Sequence, residues 1–317
     1  MVPKQKAFIP VMLTPFTDNG AIDYEALTEL TEFYLNAGAA GLFANCQSSE
    51  MFKLTDTERL SITQHILNVA ANAVPVVAAG TFGGSIARQA DFVKRINDTG
   101  VDAVIIITSM LAGEWEADAV FEDRVYQLFD HTPEVPLGFY ECPAPYKRVL
   151  SASQLGDFAR TGRVIYHKDT CLDLEQVKAK LAATSNVEGF GLYDAYMVHA
   201  LDSLRAGSAG LSCIQGNYFP ELIAWLCRHH DDPDYALAVQ QAQQFFIDRM
   251  HVMHTVYPTV AKYFLGRRGL GISTFTREFS GVFDERTRAQ VDELYIEYRL
   301  LCEQLDIKTL STVKKQS

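Results

Sequence analysis

The chain has 317 residues, 48% of them hydrophobic and 21% charged, and carries a formal net charge of -11. That length can bury a large core, as one barrel-sized domain or two ordinary ones, while the acidic balance argues against nucleic acid, whose binders present a basic face. No apolar run approaches the roughly 20 residues of a membrane-spanning helix.

The opening segment from Met1 to Lys6 is basic, but it lacks a small-residue cleavage site and runs straight into a strand-like stretch containing Pro10. A secretory signal is therefore not expected, and the chain reads as cytoplasmic. The six cysteines lie far apart, which fits free thiols of a reducing compartment better than a disulfide framework.

In chain order, residues 7–16, 39–46, 74–80, 101–109, 135–141, 163–169, 186–194 and 208–217 read as eight strands. Most are continuous apolar runs suited to burial on both faces. The intervening segments carry helix punctuation. Asp23 can cap the first, with Leu27, Leu30 and Tyr34 at helical spacing and Gly38 closing it. Thr55-x-x-Glu58, Ser151-x-x-Gln154 and Asp173-x-x-Gln176 have the spacing of capping boxes.

Eight strand–helix alternations predict a (β/α)8 TIM barrel, α/β in class, with its eighth strand reached within residues 1–220. The doubly wound alternative lacks its usual phosphate loop. Beyond that point the pattern is helical, at residues 220–230, 235–256, 258–265 and 284–304. Residues 221–317 are expected to supply the closing helix and a C-terminal helical extension packed on one side. The polar tail after Leu305 is expected to fray.

In such a barrel, chemistry belongs at the C-terminal ends of the strands. Those positions hold mostly hydroxyls, including Thr14, Thr81, Thr108 and Ser212, and one lysine. Lys168 ends the run Val164-Ile165-Tyr166-His167, with Val164 and Tyr166 on its own side by strand alternation. A lysine desolvated there would carry a depressed pKa and offer the free amine that attacks a ketone to form an imine. The plainer reading is a lysine leaving a strand for solvent. Asp169 alternates to the other side as a structural partner.

Tyr140 ends the fifth strand beside Lys168, where a phenol can move protons during imine chemistry; a packing role is the alternative. The Gln47-Ser48-Ser49 turn offers hydroxyls, an amide and backbone N–H groups, the groups a carboxylate needs, or it is simply a polar loop. Glu50 is expected to anchor that loop, since a free carboxylate would repel a bound anion.

Several short motifs, in this order and spacing, resemble the dihydrodipicolinate synthase / N-acetylneuraminate lyase superfamily of Schiff-base aldolases. They are Thr14-Pro15-Phe16, Glu50-x-x-x-Leu54-Thr55-x-x-Glu58-Arg59, Gly100-Val101-Asp102-Ala103, Tyr140-x-x-Pro143, Lys168-Asp169, and Gly210 through Asn217-x-x-Pro220-Glu221-Leu222. The resemblance spans essentially the whole chain. It implies Lys168 as the Schiff-base lysine and Tyr140 as the proton-transfer tyrosine, acting on pyruvate or a related 2-keto acid with an aldehyde as partner. It further implies no metal or organic cofactor, and a homo-oligomer, dimer or tetramer. By position, Gln47 and Ser48 match the two hydroxyl residues of the family's Gly-x-x-Gly-Glu loop, and Ser212 matches the position whose backbone faces the keto acid.

The departures narrow this. Glutamine at 47 replaces a relay hydroxyl, and Ser49 replaces a glycine. Met110-Leu111 stand where the synthases have a tyrosine pair, one of which reaches the neighbouring subunit's site. Pro145 stands where an arginine binds the second substrate's carboxylate, leaving Lys147 and Arg148 as the nearest cations. Condensation with aspartate semialdehyde is thus not expected, and a different aldehyde or the cleavage direction fits better. A sugar-acid dehydratase or a hydratase-aldolase on the same scaffold is the alternative chemistry, and a non-catalytic keto-acid-binding paralogue the alternative class. A zinc site from Cys46, Cys142, Cys171 and Cys213 is disfavoured, because none has Cys-x-x-Cys spacing.

Overall fold

The computed structural model describes residues 5–310. Its strands are β1 (Ala7–Phe8), β2 (Leu42–Ala44), β3 (Val76–Ala79), β4 (Ala103–Ile107), β5 (Leu137–Tyr140), β6 (Val164–Asp169), β7 (Gly191–Asp194) and β8 (Gly210–Leu211). They pair in parallel in the order β1-β8-β7-β6-β5-β4-β3-β2. Just past β1, a parallel bridge from Val11 to Phe43 brings the ends of the curled sheet together. This is the expected TIM barrel.

Seven helices follow successive strands: α1 (Tyr24–Asn36), α2 (Asp56–Ala70), α3 (Ile86–Asn97), α4 (Asp118–His131), α5 (Ala152–Arg160), α6 (Leu174–Thr184) and α7 (Ala200–Ala206). Then α8 (Pro220–His229) packs on β1 and β8, and α9 (Ala236–His254), α10 (Thr259–Arg267) and α11 (Glu285–Gln304) form the helical extension. No described helix is long and apolar enough to cross a membrane.

Local signals explain the helix starts. Asp23 accepts from the Ala26 N–H, and reciprocal capping boxes form at Thr55/Glu58 and Ser151/Gln154. The third expected box is a single cap. Asp173 accepts from the Glu175 and Gln176 N–H groups, but Gln176 donates its side-chain amide to the Asp173 carboxylate. An acceptor-only carboxylate draws the amide NH2 away from the backbone.

The strands are shorter than the apolar runs that announced them. At their C-terminal ends the chain rolls into single 3-10 turns at Gln47–Ser49, Thr108–Met110 and Ile214–Asn217, and residues 186–190 form a turn leading into β7. The residues of the three 3-10 turns are mostly buried because the next layer covers the barrel mouth, so burial continues where the ladder stops, whereas residues 186–190 are largely exposed.

Alternation along the strands separates two cores. Ile105 and Ile107 of β4 join Phe43, Tyr140 and Tyr166 inside the barrel, whereas Val104 and Ile106 face the helices. The expected alignment of Val164 with Lys168 fails, because the β5–β6 register shifts between Leu137 and Gly138. The irregularity sends Val164 to the outer core while Tyr166 stays inside. Gly138 accommodates that inward ring: a Cβ there would lie 2.9 Å from Tyr166 Cβ and 2.6 Å from Ile105 Cδ1.

The C-terminal elements are tied by a buried ion pair between Arg268 and Glu221. Glu221 also accepts from Tyr298 at 3.1 Å and from the Leu310 N–H at 2.7 Å. Residues 306–310 are therefore pinned rather than frayed; the rest of the tail expected to fray lies outside the described residues, as do residues 1–4.

Candidate active site

A cavity of about 780 Å³ opens at the C-terminal ends of the strands. Lys168, Tyr140, Gln47, Ser48 and Thr170 line its inner part, and α9, the Tyr257-Pro258 corner and residues 278–280 line its mouth.

Lys168 and Tyr140 are register partners on β6 and β5. Both are 3% exposed, and the Lys168 Nζ stands 4.0 Å from the centroid of the Tyr140 ring. Burial pushes the amine below its ordinary value, against the thiols of Cys46, Cys142 and Cys213 nearby, which pull the other way. Burial also raises Tyr140 well above the ordinary phenol range, so it stays protonated and able to donate. Its O–H donates to Gln47 Oε1 at 3.4 Å, an oxygen that also takes the Cys142 thiol at 3.5 Å. The edge-on contact with Phe43, 5.7 Å between centroids, holds the phenol ring in place.

The Gln47–Ser49 turn is bracketed by two non-glycine residues at positive φ, Asn45 at 48° and Glu50 at 57°. Such backbone costs about 1–3 kcal/mol per residue and persists where surrounding contacts over-determine it. Asn45 donates to the Arg59 carbonyl and the Thr63 hydroxyl. Glu50 accepts from Lys262 at 3.0 Å and from the N–H groups of Arg277 and Glu278 at 2.6 and 2.9 Å. It anchors the loop by hydrogen bonding, and it ties it to the segment that rims the cavity.

The four substrate-binding candidates separate here. Gln47 and Ser48 line the cavity. Ser49 is 1% exposed, donates to the Met12 carbonyl at 2.7 Å and accepts from the Cys46 N–H, so its side chain braces the turn from behind. Ser212 is fully buried outside the cavity lining, its hydroxyl accepting from Tyr166 at 3.1 Å. Of the two nearby cations, Lys147 lines the cavity and donates to the Thr170 carbonyl at 2.7 Å. Arg148 is committed elsewhere, to Asp118 and the carbonyls of Gly113 and Glu116.

Tyr257 is the residue the sequence did not announce. Tyr34 donates to Asn217 Oδ1 at 2.5 Å, Asn217 Nδ2 donates to Tyr257 at 2.7 Å, and Tyr257 donates to Ser48 Oγ at 2.6 Å. With its oxygen already accepting, Ser48 keeps its own proton to donate into the cavity. No local pattern marks Tyr257, because its place depends on how the α9–α10 corner packs over the barrel.

On the outer face of β6, His167 and Asp169 meet Glu141 and Lys180. The Lys180 Nζ lies 2.6 Å from both Glu141 Oε1 and Asp169 Oδ2, and all three side chains are 0–1% exposed. Burial would raise Asp169, but His167 and Lys180 hold it well below the usual carboxylate range. Lys180→Met is expected to lower the unfolding free energy by about 3–5 kcal/mol, since it strands two buried carboxylates; urea denaturation of the variant measures it. Among the described residues the one metal-competent grouping is Glu141, His167 and Asp169, which includes none of the four cysteines. Burial pushes the thiols of Cys142 and Cys213 up to about 11 and about 12, so both stay protonated at neutral pH.

An eight-stranded parallel barrel with a cavity at the C-terminal ends of its strands is a TIM barrel with its cavity where such barrels place their active sites. The sequence profile of the Dihydrodipicolinate synthetase family matches residues 4–296. The 4-hydroxy-tetrahydrodipicolinate synthase of Hyphomonas neptunium is 27% identical over 262 residues, covering 83% of this chain and 88% of that protein. The relative named Probable 2-dehydro-3-deoxy-D-pentonate aldolase YjhH, from Escherichia coli K12, is 21% identical over 275 residues, covering 86% and 90%. The solved structure of YagE, an E. coli K12 prophage protein of the dihydrodipicolinic acid synthase family in complex with pyruvate, superimposes with a TM-score of 0.83. That likeness covers 93% of this chain and 99% of YagE at 22% identity, and bears on the fold alone. The chain belongs to the Dihydrodipicolinate synthetase family and is an enzyme of the carbon–carbon lyase class.

Proposed function

We propose that this enzyme forms a Schiff base between Lys168 and the keto carbon of pyruvate or a related 2-keto acid, and uses it to make or break a carbon–carbon bond with an aldehyde. The observation that carries the reading is the buried Lys168 amine, held below its ordinary pKa and set 4.0 Å from the Tyr140 ring centroid. Membership of the same family as YagE, whose structure contains pyruvate, supports the keto-acid half.

The amine adds to the keto carbon, and Tyr140 delivers the proton with which the carbinolamine oxygen leaves as water. The Tyr140 phenolate takes a proton from the adjacent carbon, and the iminium accepts the electron pair so released, giving an enamine and restoring the phenol. Attack of that carbon on the aldehyde forms the new bond, the aldehyde oxygen takes a proton from Tyr140, and water hydrolyses the imine to free the product and the amine. Cleavage runs the same steps backwards. Gln47 and Ser48 hold the carboxylate, and the Tyr34–Asn217–Tyr257 chain fixes which way Ser48 donates. Every group in this scheme comes from one chain, so Met110 in place of a relay tyrosine does not break it.

The pH dependence of pyruvate capture tests the role of Lys168. Below its pKa the amine is protonated and cannot attack; as pH rises through that depressed pKa, the nucleophile appears. The borohydride-trapping rate is expected to reach its plateau well below the ordinary lysine pKa of about 10.4. A rate that keeps climbing past that value would assign the chemistry to an ordinary exposed lysine.

A further inference from the structure

We infer that the outer half of the cavity takes the aldehyde partner as a flat, apolar-bodied molecule, an aromatic aldehyde carrying a hydroxyl, rather than a polyhydroxylated sugar aldehyde; this rests on the Schiff-base reading above. A three-carbon keto acid occupies a small part of about 780 Å³. Beyond the polar base around Lys168, the lining turns to Pro143, Leu172, Ile214, Ile247, Met250 and Phe279.

Three large hydrophobic residues lie exposed around this one mouth: Leu172 at 52%, Ile247 at 37% and Phe279 at 84%. They come from three separate segments, the loop after β6, helix α9 and the loop before α11. Exposed apolar side chains scattered singly mean little, but convergence around a cavity marks a binding surface. Leu172 also sits at φ 66°, a left-handed conformation that a leucine rarely adopts. Phe279 is not on a loose loop. Glu50 accepts from the two preceding N–H groups, and Arg277 pairs with Glu58 at 2.7 Å, holding that carboxyl down to about 2.

The same region offers flat partners, the rings of Phe279, Tyr196, His251 and His254, and the thioether of Met250. Rings and sulfur favour an aromatic guest. A sugar chain would bury several hydroxyls, each needing a partner, and part of the polar complement is already committed. Lys147 donates to the Thr170 carbonyl, His254 Nδ1 meets the Met250 carbonyl, and Thr170 donates to the Glu141 carbonyl.

One buried polar group of the lining is left unpaired among the described residues. Gln215 lines the cavity and is 1% exposed, its Nε2 touching only the weak acceptor Met250 Sδ at 3.1 Å, while Oε1 has no partner. A buried unpaired amide oxygen is costly to leave unsatisfied, and a ligand hydroxyl would satisfy it. The expected guest is thus apolar with a single donor.

The test compares wild-type enzyme with pyruvate and either 3-hydroxybenzaldehyde, benzaldehyde or glyceraldehyde, alongside borohydride trapping of pyruvate alone. The hydroxylated aromatic is expected to exceed glyceraldehyde in kcat/KM by at least about 10-fold, the scale of one apolar group in a fitted pocket. Phe279→Ala is expected to cost the aromatic aldehydes about 10-fold and glyceraldehyde less than about 3-fold. Gln215→Leu is expected to erase the preference for the hydroxylated ring over benzaldehyde. If pyruvate is trapped but glyceraldehyde matches or beats the aromatics, this inference falls and the Schiff-base reading stands. If pyruvate is not trapped at all, both fall.

Discussion

Replacing Lys168 by alanine is expected to reduce turnover by at least about 10⁴-fold, because it deletes the covalent electron sink on which every later step depends. The pocket should survive the change. Gln47, Ser48 and Tyr257 are held by contacts that do not include Lys168, so the keto acid still has its carboxylate site. The amine is also the costly member of the site, a cation-forming group 3% exposed with no carboxylate pairing it among the described residues. Removing it relieves a desolvation penalty, and the alanine variant should unfold no earlier than the wild type. Lys168→Arg is expected to be equally inactive, since a guanidinium stays charged and cannot attack. Pyruvate consumption in the presence of an aldehyde measures all three proteins, and a residual rate within 10-fold of wild type would remove Lys168 from the chemistry.

Tyr140→Phe is expected to slow turnover by about 10²–10⁴-fold, the range for loss of one positioned proton donor. The substitution deletes an oxygen and little else. The ring keeps its edge contact with Phe43 and its place beside the Lys168 amine, and Gln47 Oε1 keeps the Cys142 thiol as a donor. Binding of the keto acid should therefore change little, so the loss should fall on kcat rather than KM. Given time, borohydride should still label Lys168 in this variant. An unchanged kcat would take Tyr140 out of the proton path.

How much of this was legible in the sequence differs by element. The barrel was, because each strand is an apolar run followed by a helix start, and Thr55/Glu58 and Ser151/Gln154 form the boxes their spacing announces. Strand lengths were not, because burial at the mouth extends the apolar runs past the ladder, as at 208–217, where only Gly210–Leu211 is strand. The side on which Val164 lies was misread because a register shift beside Leu137 leaves no mark in composition. Within the site, the strand-end rule pointed to Lys168 and Tyr140, whose nearness needs only two adjacent parallel strands. Distinguishing Ser48 from Ser49 needs the two positive-φ corners that turn one hydroxyl inward and the other back to Met12. Tyr257, Leu172, Gln215 and Phe279 were invisible for a related reason. Each reaches the cavity through the packing of the helical extension or a loop, not through any periodicity of its own segment.

The most direct test of the central claim is to incubate the enzyme with pyruvate, reduce with borohydride, and locate the modification by peptide mass spectrometry. One reduced pyruvate per chain is expected, on Lys168 and absent without pyruvate. An unmodified Lys168, or a label spread over surface lysines such as Lys94 and Lys178, would contradict it.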